Sequence, residues 1–274
     1  MSWVGWTIIV LVTLAVAGLA YGWFEAGWLR ARVLEIELDG LPPELDGLRI
    51  AHLSDFHLGF PSRGRVATER AIAWVESRGP DLVCVTGDLV SHPRGEPLLH
   101  DLLGRLGRPY VVLGNHDVAV TKDPFSRAAE LDDLRDAVLL RDEAVEATVR
   151  CVRVQIVGVA PESYVARTAD PWRLSDATAG FRILLCHFPG IVRRPPSHGA
   201  FDLILAGHHH AGQIAIPYPG GRLALAHPQA TDLSGLIPTA VGLMHVSPGL
   251  GTSLLPIRFF ARPEVTELVL RPAP

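Results

Sequence analysis

Five short stretches of the chain set Asp, Asn or His beside glycine: SDFHLG (Ser54–Gly59), GDLV (Gly87–Val90), GNHD (Gly114–Asp117), HFPG (His187–Gly190) and AGHHHAGQ (Ala206–Gln213). They offer seven oxygen and nitrogen donors, Asp55, His57, Asp88, Asn115, His187, His208 and His210, with no cysteine among them. Such a set suits hard-to-borderline divalent cations: Mn, Fe, Co or Zn. Seven donors exceed what one ion takes. Two ions about 3.5–4 Å apart that share a carboxylate can clamp both oxygens of an in-line phosphoryl displacement, and Asp88 is the natural shared ligand. The histidine triplet fits with one member left over. In an extended segment successive side chains point to opposite sides, so His208 and His210 share a face while His209 looks away. Singly each stretch is weak evidence, since a solitary buried histidine is more often a satisfied core residue than a ligand.

Each stretch follows an apolar run of strand length, namely LRIAHLS, DLVCVT, PYVVL, FRILLC and FDLILA. Strands apolar throughout are buried on both faces, as in a sheet covered by helices or by a second sheet. Glycine after the run lets the backbone turn tightly and approach a ligand. Functional groups in open α/β sheets gather beyond the carboxyl ends of strands, so the five stretches can converge on one site. Between the runs, GRVATERAIAWVES and PFSRAAELDDLRD suit helices. ARVLEIEL before them, and GLMHVS and VTELVL after them, add strands. The catalytic domain is expected over residues 33–274, without repeats or a linker.

A chain of 274 residues with 48% hydrophobic content can bury a sizeable core. Its net charge of -4 gives none of the basic excess with which a nucleic-acid binder neutralises phosphates. Cys84, Cys151 and Cys186 are scattered through apolar runs, where buried free thiols commonly sit, and imply no disulfide framework. Met1–Phe24 contains no charged residue, is long enough to cross a bilayer, and with Trp28 carries Trp3, Trp6, Tyr21 and Trp23 toward its ends. Residues 1–28 therefore read as a single transmembrane anchor. The alternative, a cleaved secretory signal ending in the small residues of AVAGLA, lacks the Lys or Arg that precedes a signal's apolar stretch. Arg30 and Arg32 follow the span and place the catalytic part on the cytoplasmic side of the cell membrane.

In order, the five stretches reproduce the motif series D-x-H, G-D, G-N-H-[DE], H and G-H-x-H, and the chain thereby resembles the calcineurin-like metallophosphoesterases. The resemblance implies an α/β fold, a four-layer αββα sandwich of two mixed β-sheets flanked by helices, here behind an N-terminal transmembrane helix. It implies that Asp55, His57, Asp88 and His210 hold one divalent ion and Asp88, Asn115, His187 and His208 the other, with His209 at a variable position. His116 would be the active-site histidine that stabilises or protonates the leaving oxygen, and Asp117 would orient it through a hydrogen bond. Protein-phosphatase members carry G-D-x-x-D-R-G where this chain has GDLVSHPRG, a departure that speaks against that role. GQIAIP and the tail SPGLGTSLLPIRFFARPEVTELVL are similar to a bacterial membrane-associated branch, which includes phosphodiesterases and UDP-diacylglucosamine pyrophosphatases. Arg258 in LPIRFF could meet a substrate phosphate through its planar guanidinium, or be an ordinary surface arginine. His52, His92, His198, His227 and His245 match no motif and read as loop or packing residues. GFPSRGR is either a loop at the site entrance or a plain turn into the next helix.

The expected activity is hydrolysis of a phosphoric ester or pyrophosphate by a dinuclear metal centre. The anchor favours a lipid-linked substrate, because tethering raises the encounter rate through effective concentration. The rivals are a catalytically silent scaffold for protein assembly, against which the complete ligand set argues, and a soluble-nucleotide phosphodiesterase.

Overall fold

The computed structural model describes residues 2–193, 200–219 and 221–273; His198 lies outside them. The first element, α1 (Trp3–Glu25), is a helix capped by Ser2, whose hydroxyl accepts the Gly5 N–H. It is long and apolar enough to cross a membrane, and it is exposed until its last turn, where Gly22 and Glu25 are buried against the rest of the chain. Strand β1 (Arg30–Leu38) begins almost at once.

There follow β2 (Arg49–Leu53), α2 (Gly64–Arg78), β3 (Leu82–Thr86), α3 (Glu96–Gly104), β4 (Tyr110–Val112) and the short β5 (Val138–Leu139). Next come β6 (Glu143–Val149), β7 (Val152–Gly158), α4 (Pro161–Ala166), β8 (Phe181–Leu185), β9 (Leu203–Ala206), and the hairpin β10 (Ala215–Tyr218) with β11 (Gly221–Ala224). The chain closes with β12 (Gly235–Thr239), β13 (Gly242–Val246) and β14 (Glu264–Pro272). One six-stranded sheet has the order β1-β14-β2-β3-β4-β5 and the other β12-β13-β9-β8-β7-β6. Both are mixed. β2 to β5 run parallel, as do β7, β8, β9 and β13, while β14 pairs antiparallel with β2.

The sheets pack face to face on Ile50, Leu82, Cys84 and Val112 from the first, and Ile156, Ile183, Leu185, Leu203 and Leu205 from the second. Burying side chains of this size contributes ~1.5–3 kcal/mol each before chain entropy is set against it. Ala67, Ala71, Ile72 and Val75 recur at helical spacing, so α2 buries one stripe on the outer face of the first sheet and stops at the left-handed Gly79. The second sheet's outer face is covered more thinly, by α4, by short 3-10 turns carrying Trp172 and Ile191, and by Phe188 just before the second of them. The layering is thus the expected αββα, with its fourth layer reduced.

Two expectations fail. PFSRAAELDDLRD forms no helix. Its backbone groups go instead to neighbours, Arg127 N to Ser91 O at 2.9 Å and Ala129 N to Asp117 O at 3.1 Å, and Leu131 and Leu134 pack into the core. Partners beyond the segment outweigh its weak helical period. Cys151 is exposed, unlike Cys84 and Cys186, because Arg150 and Cys151 form the left-handed turn between β6 and β7. GFPSRGR turns into α2, with Phe60 packing against Phe125.

Candidate metal centre

The carboxyl ends of β2, β3 and β4 from one sheet and β8 and β9 from the other lead into one place. Asp55 and His57 follow β2, Asp88 follows β3, Asn115 to Asp117 follow β4, His187 follows β8, and His208 to His210 follow β9. Five of these residues have a left-handed backbone: Asp55, His57, Asp88, His208 and His210, with φ between 48° and 73°. Such conformations cost roughly 1–3 kcal/mol each outside glycine and persist only where the surroundings over-determine them. Here the loops bind one another. Asp55 N donates to Gly87 O and His57 N to Asp88 O, each at 2.9 Å, and His116 N donates to Asp88 Oδ1 at 2.8 Å. A Cβ on Gly114 would collide with Asp88 Oδ1, and one on Gly207 with Ser54 Oγ and Asp55 Oδ2. Both glycines are what the close approach of backbone to carboxylate requires.

The buried donor atoms of Asp55, His57, Asp88 and His210 all lie within 4.8 Å of one another, and so do those of Asp88, His187 and His208. Asp88 belongs to both groups. Its Oδ2 stands 3.6 Å from His57 Nε2 and 3.2 Å from His187 Nε2. Burial pushes the Asp55 carboxyl up to about 7, with Asp88 adding to it, and burial pushes the His57 ring down to about 3. Burial would raise Asp88 as well, but His187, His116 and His57 outweigh it and hold that carboxylate well below its usual range. For His187 burial is outweighed in the opposite sense, and Asp88 lifts the ring to about 9.

Two carboxylates and four imidazoles sunk this deep need positive charge between them. Asn115 Oδ1 is buried with no hydrogen-bond partner, as expected of an oxygen whose partner is a cation. The donor set therefore fits two divalent ions.

His209 belongs to neither donor group among the described residues; its Nδ1 lies 2.9 Å from Asp232 O and its ring packs on His208 and His227. The segment is not extended, however. His208 and His210 turn inward through left-handed backbone rather than strand alternation. Asp117 does not orient His116, because its carboxylate accepts the N–H groups of Val90 at 2.9 Å and Gly114 at 2.8 Å and so ties the second loop to the third. His116 Nδ1 instead lies 2.5 Å from Ser126 Oγ and 3.9 Å from Asp123 Oδ2. Ser126 comes from the stretch that reads as a helix and Asp123 from just before it, and no sequence signal marks either.

Arg258 neither lies on the surface nor faces a substrate cavity. It is 0% exposed, donates to the carbonyls of Gly251, Pro248 and Ala261, and sets Nη2 3.3 Å from His210 Nδ1. Its buried position is decided by loop closure, which its local sequence does not reveal. His52 and His245 are fully buried against each other between the sheets, Nδ1 to Nδ1 at 2.7 Å.

A cavity of 540 Å³ is lined by Asp88, Asn115, His116, His208 and His210, by the polar Thr121, Lys122, Asp123, Gln213 and Ser253, and by the apolar Ile214, Leu225, Leu254 and Leu255. A second, of 530 Å³, holds Arg193, His209 and Asp232 and shares His208, Ala226 and His227 with the first. His227 is thus a wall between two cavities rather than a loop or packing residue alone.

Comparison with known proteins gives concordant results. A model of the family described as calcineurin-like phosphoesterase matches residues 48–212. Over 284 residues the chain is 32% identical to a "Transmembrane protein with metallophosphoesterase domain" of Danio rerio, a match covering 97% of this chain and 63% of that one. The chain thus spans less than two thirds of that relative's length. It is 29% identical to the Bacillus subtilis metallophosphoesterase YkoQ, covering 83% of this chain and 85% of that one. It is 28% identical to the phosphodiesterase YaeI of Escherichia coli, covering 91% and 89%.

Proposed function

The chain belongs to the calcineurin-like phosphoesterase family, and from that premise we propose that this metal-dependent phosphoric ester hydrolase acts on a lipid-linked phosphoester or pyrophosphate at the cytoplasmic leaflet. The observation that carries the reading is the polarity of the 540 Å³ cavity. Asp88, Asn115 and His116 line it together with Lys122, Gln213 and Ser253 and with an apolar wall of Ile214, Leu225, Leu254 and Leu255. A phosphoryl group at the donors would lay an apolar substituent along that wall. The adjoining cavity with Arg193, His209 and Asp232 would take a polar substituent, which favours a diester or pyrophosphate over a monoester. The names of two relatives, one a transmembrane protein and one a phosphodiesterase, agree with this reading. Arg30 and Arg32 beside α1 support the cytoplasmic orientation.

In this reading Asp55, His57, Asp88 and His210 hold one divalent ion, and Asp88, Asn115, His187 and His208 the other, the metals being Mn, Fe, Zn or Co. When bound, such ions neutralise the phosphoryl oxygens and lower the pKa of water. His116 donates a proton from Nε2 to the leaving oxygen, its Nδ1 being engaged by Ser126. Asp117 keeps the Asp88 and Asn115 loops in register by holding Val90 and Gly114.

Competition between lipid-linked and water-soluble phosphoesters in detergent tests the proposal. A much higher kcat/KM for a soluble nucleotide diester would remove the lipid reading and leave the hydrolase. Absence of any turnover of bis-p-nitrophenyl phosphate with added Mn would point to the silent scaffold.

A further inference from the structure

The last turns of α1 are gripped from the side. Phe259 fills a notch over two glycines of the helix: a Cβ on Gly22 would lie 2.6 Å from its ring and one on Gly18 would lie 3.9 Å away. Tyr21 sets its ring 5.7 Å from Phe259 and 6.4 Å from Phe260. Arg258 N donates to Gly22 O at 3.0 Å, and Ala261 N to Glu25 Oε1 at 2.7 Å. The segment 257–261 therefore runs beside the helix as far back as Gly18, roughly 10 Å from the Glu25 end at 1.5 Å per residue. The 23 residues of α1 measure about 34 Å against a hydrocarbon core of about 30 Å. A helix of that length has little to spare, so whatever lies beside Gly18 sits at the level of the bilayer.

What lies there is apolar. Leu254, Leu255 and Phe260 are 51, 46 and 50% exposed. The hairpin β10–β11 is joined to this segment through Ala215 N to Phe259 O and Phe259 N to Gln213 O, each at 2.9 Å, and adds exposed Ile216, Tyr218, Leu223 and Leu225. A contiguous apolar surface of this kind is costly in water and marks an interaction site. Arginines surround the point where α1 meets the domain: Arg63 lies 6.0 Å from the Phe24 ring centre, Arg262 lies 3.9 Å from that of Trp28, and Arg30 and Arg222 line a cleft with Tyr21 and Phe260. Aromatic rings with arginines beside them are the composition of a lipid–water boundary, where the guanidinium groups meet anionic headgroups.

We propose that the segment 254–260 and the β10–β11 hairpin are seated in the leaflet nearest the domain, and that the bilayer itself covers this face. The cavity over Asp88 and Asn115 shares Ile214, Leu225, Leu254 and Leu255 with that face, so it opens at the lipid–water boundary. Part of the backbone taken into the boundary is paired, through the bonds between Phe259, Gln213 and Ala215 and between Arg258 and Gly22. The inference deepens the lipid reading of the site and rests on α1 crossing the membrane, but its test reads depth and not turnover.

The full chain is placed in nanodiscs of phosphatidylcholine and phosphatidylglycerol. The native exposed Cys151, beside Arg150 at the sheet ends opposite the metal donors, takes an NBD label as the aqueous control. In a Cys151→Ser background the label is moved to Leu223→Cys or Leu254→Cys. Doxyl-labelled lipids should remove most of the NBD emission at positions 223 and 254 and leave that at 151 unchanged, and the emission at 223 and 254 should be blue-shifted. Equal aqueous quenching by iodide at all three positions would overturn the proposal. Photoactivatable lipids give a second arm on the unsubstituted chain: cross-links in 214–225 and 254–260 are expected, and cross-links confined to α1 would reject it. Labels buried in lipid, in a protein that prefers soluble diesters, would keep the seated face and discard only the lipid substrate.

Discussion

Nη2 of Arg258 lies 3.3 Å from Nδ1 of His210, inside the protein. The other guanidinium N–H groups are taken by the carbonyls of Gly251, Pro248 and Ala261, while the backbone of the same arginine donates to Gly22 O in α1. A continuous line of hydrogen bonds thus joins the last turns of the apolar helix to a candidate metal ligand. Burial lowers the guanidinium pKa to about 10, which still leaves it charged at neutral pH.

Arg258→Met should lower metal content by up to one equivalent, through the group containing His210, and destabilise the protein by about 3 kcal/mol or more as three buried carbonyls lose their donor. Arg258→Lys should restore this only in part, because an ammonium cannot reproduce the fork of five donors. Elemental analysis and thermal unfolding provide the check. Two full equivalents of metal in the Met variant would remove the positioning role.

Asp88→Asn should disturb both donor groups together, since one carboxylate oxygen stands between His57 and His187. If the purified variant keeps two equivalents and full turnover, Asp88 does not bridge.

His116→Ala should retain metal and lose roughly 10²–10⁴-fold in rate, with a smaller loss on substrates whose leaving group needs no proton. Ser126→Ala, which frees Nδ1, should cost about 10–100-fold in rate. Steady-state kinetics on esters of graded leaving-group pKa tests both. Equal losses on good and poor leaving groups would argue against acid catalysis.

The His52–His245 pair should make the fold sensitive to acid. Burial, then His245, holds His52 well below its ordinary value; burial, then Arg32, brings His245 to about 3. Thr86 Oγ1, 2.9 Å from His52 Nε2, is the other polar partner. Both folded-state values lie below the unfolded value of about 6.5, so this contribution is complete above pH 6.5 and is lost as pH falls from there toward 3. His245→Leu should cost about 1–3 kcal/mol at pH 7, because His52 Nδ1 loses its partner. It should also flatten the dependence of unfolding free energy on pH by up to about 1.4 kcal/mol per unit in that window. Urea unfolding at several pH values would show it, and parallel pH dependences for the two proteins would sink the idea.

The chain sequence by itself determined the apolar helix, the five buried strands and the residues that follow them. Those features are local: a run of about twenty uncharged residues, strand-length apolar runs, and glycine next to Asp, Asn or His are each read within one window. Even so, local pattern misleads at residues 124–136, where helical spacing yields to bonds with Ser91 and Asp117, and at Cys151, where a turn tip replaces an apolar strand. Everything that depends on residues far apart along the chain was left to the tertiary structure. Arg258 reaches His210 across 48 positions and His52 reaches His245 across 193, and no spacing rule links such pairs. The tertiary structure also decided which partner each polar group takes, giving Asp117 to the loop backbones and Ser126 to His116. It set the left-handed turns that aim Asp55, Asp88 and His208 inward, because strained backbone survives only where neighbouring loops hold it. Likewise the apolar wall of the cavity, drawn from Ile214, Leu225, Leu254 and Leu255, exists only once two segments far apart along the chain close against each other, since burial and exposure are properties of the packed chain and not of its composition.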